Sequence, residues 1–443
     1  MQGRHDAYAA FRVPSYRHFL AGGILSIMGA EIQFMAVGWE LWNRTFSPAA
    51  LGMVGLVLFA PVLLFFLPAG HVADRVNRRM QLQVAQSLVM LSSLGLLLLT
   101  ATDPQPLVAR SPLELRTEQK GPPLADVLTG RVLLIYLCLV FSGIGRAFSA
   151  PARGSLMAQI VPREAIGNAV TWNSSSWQFA NVAGPALGGL VMALTGRVWA
   201  AFLVAALCSL SSIVLLFWVR PARDYRATGA FSLEALLAGM RFVWKTKLLL
   251  ATITLDLFAV LLGGATALLP IYARDILEVG EVGYGWLRAA PAVGALFMAI
   301  SLAHRPPLRW AGPSLLASVA GFGVCTIVFG LSANYWLSLA MLALLGALDN
   351  ISVVIRQTLV QVLTPDAMRG RVGAINLMFI SSSNELGSFE SGMTADWWGT
   401  VPSVVVGGIG AIVVVVGAMA WWPQLVTMRS LPTVETDESR NHV

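Results

Sequence analysis

The 443-residue chain is 56% hydrophobic and only 12% charged, with a formal net charge of +7. Soluble domains are about one quarter charged, so this balance excludes an ordinary globular protein and places the chain in a bilayer. The positive excess lies mostly in short loops between apolar runs, which fits the cytoplasmic face of a membrane protein and gives no reason to expect a nucleic-acid partner.

The first 17 residues are polar, with Arg4, Arg12 and Arg17. The apolar segment behind them is too long for a cleavable signal and lacks its small-residue cleavage pattern, so it is expected to stay as the first span. Apolar runs of 18 or more residues predict twelve transmembrane helices, at about 18–42, 49–69, 79–101, 131–151, 166–194, 198–219, 248–272, 284–303, 312–332, 335–355, 371–394 and 401–422. With the N-terminus inside, cytoplasmic loops hold 21 Lys and Arg against 7 outside, and both termini are expected in the cytoplasm.

Two connections are long. Residues 102–130 are rich in Pro and mixed charge and read as an outer loop; residues 221–247 are basic, with an amphipathic stretch from Phe231 to Trp244. The expected division is a six-helix bundle over 1–220, a cytoplasmic link over 221–247, a second six-helix bundle over 248–425 and a disordered tail over 426–443. A shift of 203 positions superposes Arg153 on Arg356, Pro162 on Pro365, Asn173 on Asn376, Asn181 on Asn384, Gly184 on Gly387 and Gly189 on Gly392, which points to an internal duplication.

The second and third spans are joined by Gly70-His71-Val72-Ala73-Asp74-Arg75-Val76-Asn77-Arg78-Arg79. Gly70 allows close helix approach, Asp74 offers an acceptor to a helix N-terminus or an arginine, and Arg75, Arg78 and Arg79 hold the turn in the cytoplasm. This G-x-x-x-D-R-x-x-R-R pattern resembles the loop between helices 2 and 3 of the major facilitator superfamily. That resemblance implies an all-α membrane protein of twelve helices in two pseudo-symmetric six-helix bundles, with the turn acting as a conformational latch between them. The corresponding turn of the second half, His304 to Arg309, keeps the charge and loses the aspartate.

The fifth span carries Asn181-Val182-Ala183-Gly184-Pro185-Ala186-Leu187-Gly188-Gly189. Gly184 and Gly188 share one helix face and admit a neighbouring helix, while Pro185 removes an amide donor and can bend the span. The sequence is similar to the G-P-x-x-G-G signature of the superfamily's antiporters. Pro151-Ala152-Arg153, Gln159 to Glu164 and Thr45-Phe46-Ser47-Pro48 resemble its enterobactin-exporter and macrolide-efflux branch. One departure stands out: Leu139 occupies the place, ahead of Gly143 and Gly145, where many of these antiporters carry an arginine.

Ionised residues inside spans are costly and mark pathways or pairs. Glu31 in the first span and Asp256 in the seventh are expected to flank a central cavity between the bundles, with Glu385 on a polar stripe of the eleventh and Arg146 as a partner for one of these acids. These four are the proton and substrate coupling candidates. Glu390 lies about 140° round the helix from Glu385 and is expected outside its site. Met35, Asn173, Trp177 and Asn384 are candidates for the cavity wall. Metal-ligand spacing is missing: the five histidines are scattered, and Cys138, Cys208 and Cys325 lie far apart in apolar runs. No Walker loop is present, so neither a cofactor nor ATP is expected, and the chain does not read as an enzyme.

From the resemblance, the expected activity is proton-coupled efflux of a small amphipathic organic molecule, a drug or siderophore, by a monomer in a bacterial inner membrane. Its partners would be substrate, protons and lipid. A lysophospholipid flippase or a metal-ion exporter of the same fold, and a transport-dead receptor, are the alternatives.

Overall fold

The computed structural model describes residues 8–103, 130–220, 233–304, 310–365 and 368–429; a few side chains inside these ranges, His71, Asp74 and Arg163 among them, lie outside the description. Regular structure in these ranges is helical. The first bundle comprises α1 (Pro14–Thr45), α2 (Pro48–Arg75), α3 (Arg78–Ala101), α4 (Gly130–Ile160), α5 (Ile166–Thr195) and α6 (Val198–Phe217). A link helix, Leu233–Lys245, leads to α7 (Lys247–Leu262), which continues through a 3-10 turn, a single α turn and a π turn to Ile276. Then follow α8 (Gly280–Ala303), α9 (Ala311–Leu331), α10 (Tyr335–Leu363), α11 (Arg369–Trp398) and α12 (Thr400–Trp421).

Ten of these helices, among the described residues, are long and apolar enough to cross a membrane. The other two, α5 and α11, are 30 residues each. They are more polar, α11 carrying Glu385, Glu390 and Asp396, because they pack against the opposite bundle instead of presenting their whole circumference to lipid. With them the set is consistent with the twelve expected spans. Several helices outrun the predicted apolar runs, α4 to Ile160 and α10 to Leu363, since a helix can extend past the hydrocarbon where apolarity ends.

Local chemistry explains the joints. Phe46 takes a left-handed conformation at φ 49° and ends α1, after which Ser47 caps α2 by accepting from the Ala50 amide at 3.4 Å and Pro48 fills the first turn. The turn expected over residues 70–79 is shorter, because α2 runs to Arg75 and α3 starts at Arg78. The N-terminus of α3 is capped by Asn77, whose side chain takes the amides of Arg79 and Met80 at 3.0 and 3.4 Å. Of the expected link, residues 233–245 form the helix that packs on α11, and 221–232 lie outside the described residues. A short helix, Pro423–Thr427, runs into the start of the expected tail, where the Met428 carbonyl accepts from the Gly312 amide at 3.1 Å; residues 430–443 lie outside the described residues, as do 104–129 of the outer loop.

Packing repeats between the bundles. In the first, α1 packs on α5 and α6, α2 on α4, and α3 on α4 and α6; in the second, α7 packs on α11 and α12, α8 on α10, and α9 on α10 and α12. The bundles meet through α2 on α11 and α5 on α8, again equivalent pairs. Duplication of a six-helix unit accounts for this pattern.

Candidate translocation site

Small residues form both seams between the bundles. A Cβ on Gly189 of α5 would lie 2.5 Å from the Glu281 carbonyl and 3.1 Å from the Gly285 Cα of α8, and one on Gly52 of α2 would lie 3.0 Å from the Gly392 Cα of α11. Gly189 and Gly392 are the mates superposed by the sequence repeat, so duplication supplied the same close approach twice. Both seams lie toward the end of the molecule that carries the α1–α2 joint. There, too, Trp42 Nε1 donates to Asp275 at 2.8 Å, Arg274 bonds Asn43, and Trp39 stacks on Tyr284 with ring centroids 5.4 Å apart. That end is closed.

Toward the opposite end the bundles part around a cavity of about 940 Å³. Its first-bundle wall is Phe59, Val62, Leu63 and Gly70 of α2 with Arg146, Ala147, Ala150 and Pro151 of α4. Its second-bundle wall is Gln357, Val360 and Gln361 of α10 with Arg369, Gly373, Asn376, Leu377, Met378 and Ser381 of α11. The volume falls in the range of small-molecule sites, and the mixture of apolar and few polar groups is typical of them.

At the blind end of this cavity, two ion pairs cross from one bundle to the other. Arg146 of α4 lies 3.2 Å from Glu385 of α11, and Glu31 of α1 lies 3.7 Å from Arg288 of α8. Arg288 and Glu31 are close enough to act electrostatically on Glu385 as well, so the four form one balanced cluster of two acids and two cations. The Arg288 guanidinium also sits 4.2 Å from the centroid of the Phe34 ring. Arg146 is 48% exposed and faces the cavity, whereas Glu385 is 14% exposed. Backbone closeness holds this geometry: a Cβ on Gly184 would lie 2.8 Å from the Glu31 Cβ, and one on Gly55 would lie 2.6 Å from the Glu385 carbonyl.

Of the sequence candidates, Glu31, Arg146 and Glu385 are thus brought together, and Asp256 is not. The expectation that Asp256 flanks the central cavity is corrected: it turns into the second bundle, pairs with Arg356 and accepts from Ser352 at 3.3 Å, beside a separate cavity of about 10 Å³ shared with Asp349. The reason is the buried cation on α10, which a carboxylate on α7 can neutralise only by facing it. Met35 is buried under Gly188 and Gly189 and lines no part of the large cavity. Asn173, Trp177 and Asn384 are also absent from its wall; Asn384 and Asn181 spend their amides on carbonyls of their own helices, Ile380 at 2.9 Å and Trp177 at 2.7 Å. Glu390 stands apart from Glu385, 3.5 Å from the Ser391 hydroxyl.

Pro185 lies buried in α5, its carbonyl 2.7 Å from where a Cβ on Gly285 would sit, so Pro185 and Gly189 serve the seam with α8 while Gly184 and Gly188 pack on α1 within the first bundle. In the turn, Gly70 borders the cavity, Arg75 is exposed, Arg78 is buried, and Arg79 donates to the Phe217 and Val219 carbonyls at 3.4 and 3.2 Å, within its own bundle. The Asp74 side chain lies outside the described residues. Sequence reasoning missed Gln357, Gln361, Arg369 and Asn376. Asn376 alone carried a signal, as the repeat mate of Asn173.

The family model described as Major Facilitator Superfamily matches residues 19–387. The chain is 24% identical over 411 residues to the enterobactin exporter EntS of Shigella flexneri, covering 90% of each protein, and 25% identical over 428 residues to that of Citrobacter koseri, covering 95% of each. Among solved structures it resembles an inward-facing, unoccupied bacterial homolog of the human lysosomal transporter Spinster (TM-score 0.70, 15% identity, covering 96% of this chain and 99% of that one) and a D-xylose-proton symporter (0.67, 15%, 96% and 99%). The chain belongs to the major facilitator superfamily, as a multi-pass membrane transporter of small molecules and not an enzyme.

Proposed function

We propose that the protein is a proton-coupled exporter of a small amphipathic organic molecule, a drug or siderophore, working as a monomer in a bacterial inner membrane with both termini in the cytoplasm. The observation that carries this reading is the cluster Glu31–Arg288 and Arg146–Glu385, which ties the two bundles together at the blind end of the cavity. With the Lys- and Arg-rich loops inside, the open end faces the cytoplasm, where an exporter loads its cargo.

A carboxylate held by an arginine and the same carboxyl holding a proton are alternatives. Each protonation of Glu385 or Glu31 removes an ion pair that spans the bundles, which loosens the closed end; each re-formed pair expels a proton and restores it. Rocking of the bundles and proton exchange are then one event, with the glycine seams as the surfaces that part. The two-domain division, with residues 221–247 as link, lets the bundles move as units. The turn with Gly70, Asp74, Arg75, Arg78 and Arg79 serves as the latch at the cytoplasmic end when that end closes. Efflux is also the activity of the similar proteins, which are enterobactin exporters.

The test uses everted membrane vesicles holding a respiration-driven pH gradient. Siderophores and amphipathic drugs are added in turn, and dissipation of the gradient is followed with a pH-sensitive dye. An accepted compound should collapse the gradient in the wild type and not in Glu385→Gln. Uptake of that compound without any proton movement, or unchanged coupling in Glu385→Gln, would overturn the reading.

A further inference from the structure

The large cavity has a one-sided charge. Its only ionisable wall residues among the described residues are Arg146 and Arg369, and its remaining polar groups are amides and a hydroxyl. Glu385 lies beyond the wall and meets Arg146 through one nitrogen at 3.2 Å. A guanidinium carries five donors in a planar fork suited to two oxygens of one anion, so a single contact leaves most of this capacity turned toward the cavity. Asn376 is 6% exposed, lines the cavity, and its buried Oδ1 has no hydrogen-bond partner.

We infer that the transported molecule is an organic anion, and that its acidic group binds Arg146 by displacing Glu385. This deepens the proposed function and rests on it for the meaning of transport, though the binding chemistry stands separately. An apolar body lies against Phe59, Val62 and Leu63, and the anionic head meets the fork of Arg146. Arg369 at the mouth, its Nε on the Gln361 carbonyl at 3.1 Å, draws anions inward. A cationic drug would bring its charge against Arg146 and find no carboxylate among the described residues of the wall. Displacement also explains why cargo opens the far end: when the anion takes Arg146, the Arg146–Glu385 link between the bundles is lost.

The experiment measures equilibrium binding of three radiolabelled probes sharing one apolar body, 2-naphthoate, 2-naphthamide and 2-naphthylmethylammonium, to the full-length detergent-purified protein at pH 7. The carboxylate should bind at least tenfold more tightly than either other form. Arg146→Ala should erase that preference, Arg146→Lys should keep part of it, and Glu385→Gln should tighten carboxylate binding severalfold by removing the competitor. Size-exclusion profiles and the part of the preference that Arg146→Lys retains guard against misfolding. Equal or tighter binding of the amide or ammonium, no carboxylate binding up to the millimolar range, or a carboxylate preference that survives Arg146→Ala overturns the inference. Selective carboxylate binding with no pH-gradient-driven movement in vesicles would instead overturn proton coupling and leave the anion site standing.

Discussion

Asp256 and Arg356 provide the sharpest test of how the second bundle is built. Their side chains are 7% and 3% exposed, and each is the other's ionic partner inside the bundle. Truncating either strands the opposite charge, at a cost of roughly 3–5 kcal/mol. The hydrogen bond to Asp256 from Ser352, at 3.3 Å, is worth only about 1 kcal/mol and cannot compensate. Asp256→Leu and Arg356→Leu should therefore each destabilise strongly, whereas the double variant, which buries two apolar side chains in place of two charges, should recover most of the loss. Thermal unfolding of purified protein, followed by tryptophan fluorescence, would read this. At roughly 2–4 °C per kcal/mol for a body the size of one bundle, each single variant should melt about 6–20 °C low. The double variant should also keep proton-linked transport, because the pair faces away from the large cavity. Single variants that melt like the wild type, or a double variant no better than either single one, would refute the reasoning.

Three further outcomes are expected. Gly189→Leu should abolish transport and increase thiol labelling of a cysteine placed at Asn43, because its side chain would press on Glu281 and Gly285 and hold the closed end apart, whereas Gly417→Leu, with nothing within 4 Å, should do neither. Gly23→Asp should raise the melting temperature and lose that gain in an Arg153→Ala background: Arg153 Nη1 lies 2.8 Å from where a Cβ on Gly23 would sit, and Arg153 has no carboxylate partner among the described residues, whereas its repeat mate Arg356 has Asp256. Asp74→Lys should leave membrane insertion intact, measured by fractionation, and slow vesicle transport several-fold; normal transport would rule out the latch.

The division between what was and was not legible follows from the range of each interaction. Apolar runs reported the spans because the bilayer acts on each helix separately, and the pairing of Gly189 with Gly392 reported the duplication because both are local in the chain. The partner of Glu385 was within reach, since Arg146 is one of two cations inside the predicted spans. Which way Asp256 points was not, because that depends on Arg356, a hundred residues away and itself assigned to a loop when its helix was read as ending near residue 355. The cavity wall of Gln357, Gln361 and Asn376 was hidden for the same reason, in helices that extend beyond their apolar cores.

Hydrophobicity and the positions of arginine, written residue by residue, thus determined that this chain crosses a membrane many times and is built from two copies of one plan. Only the folded molecule decided which end is shut, which charges face each other across the bundles and which are buried within one. Burial in lipid is a property of a segment alone, while charge pairing and close glycine contact are properties of two segments together, and these exist only once the helices are set side by side.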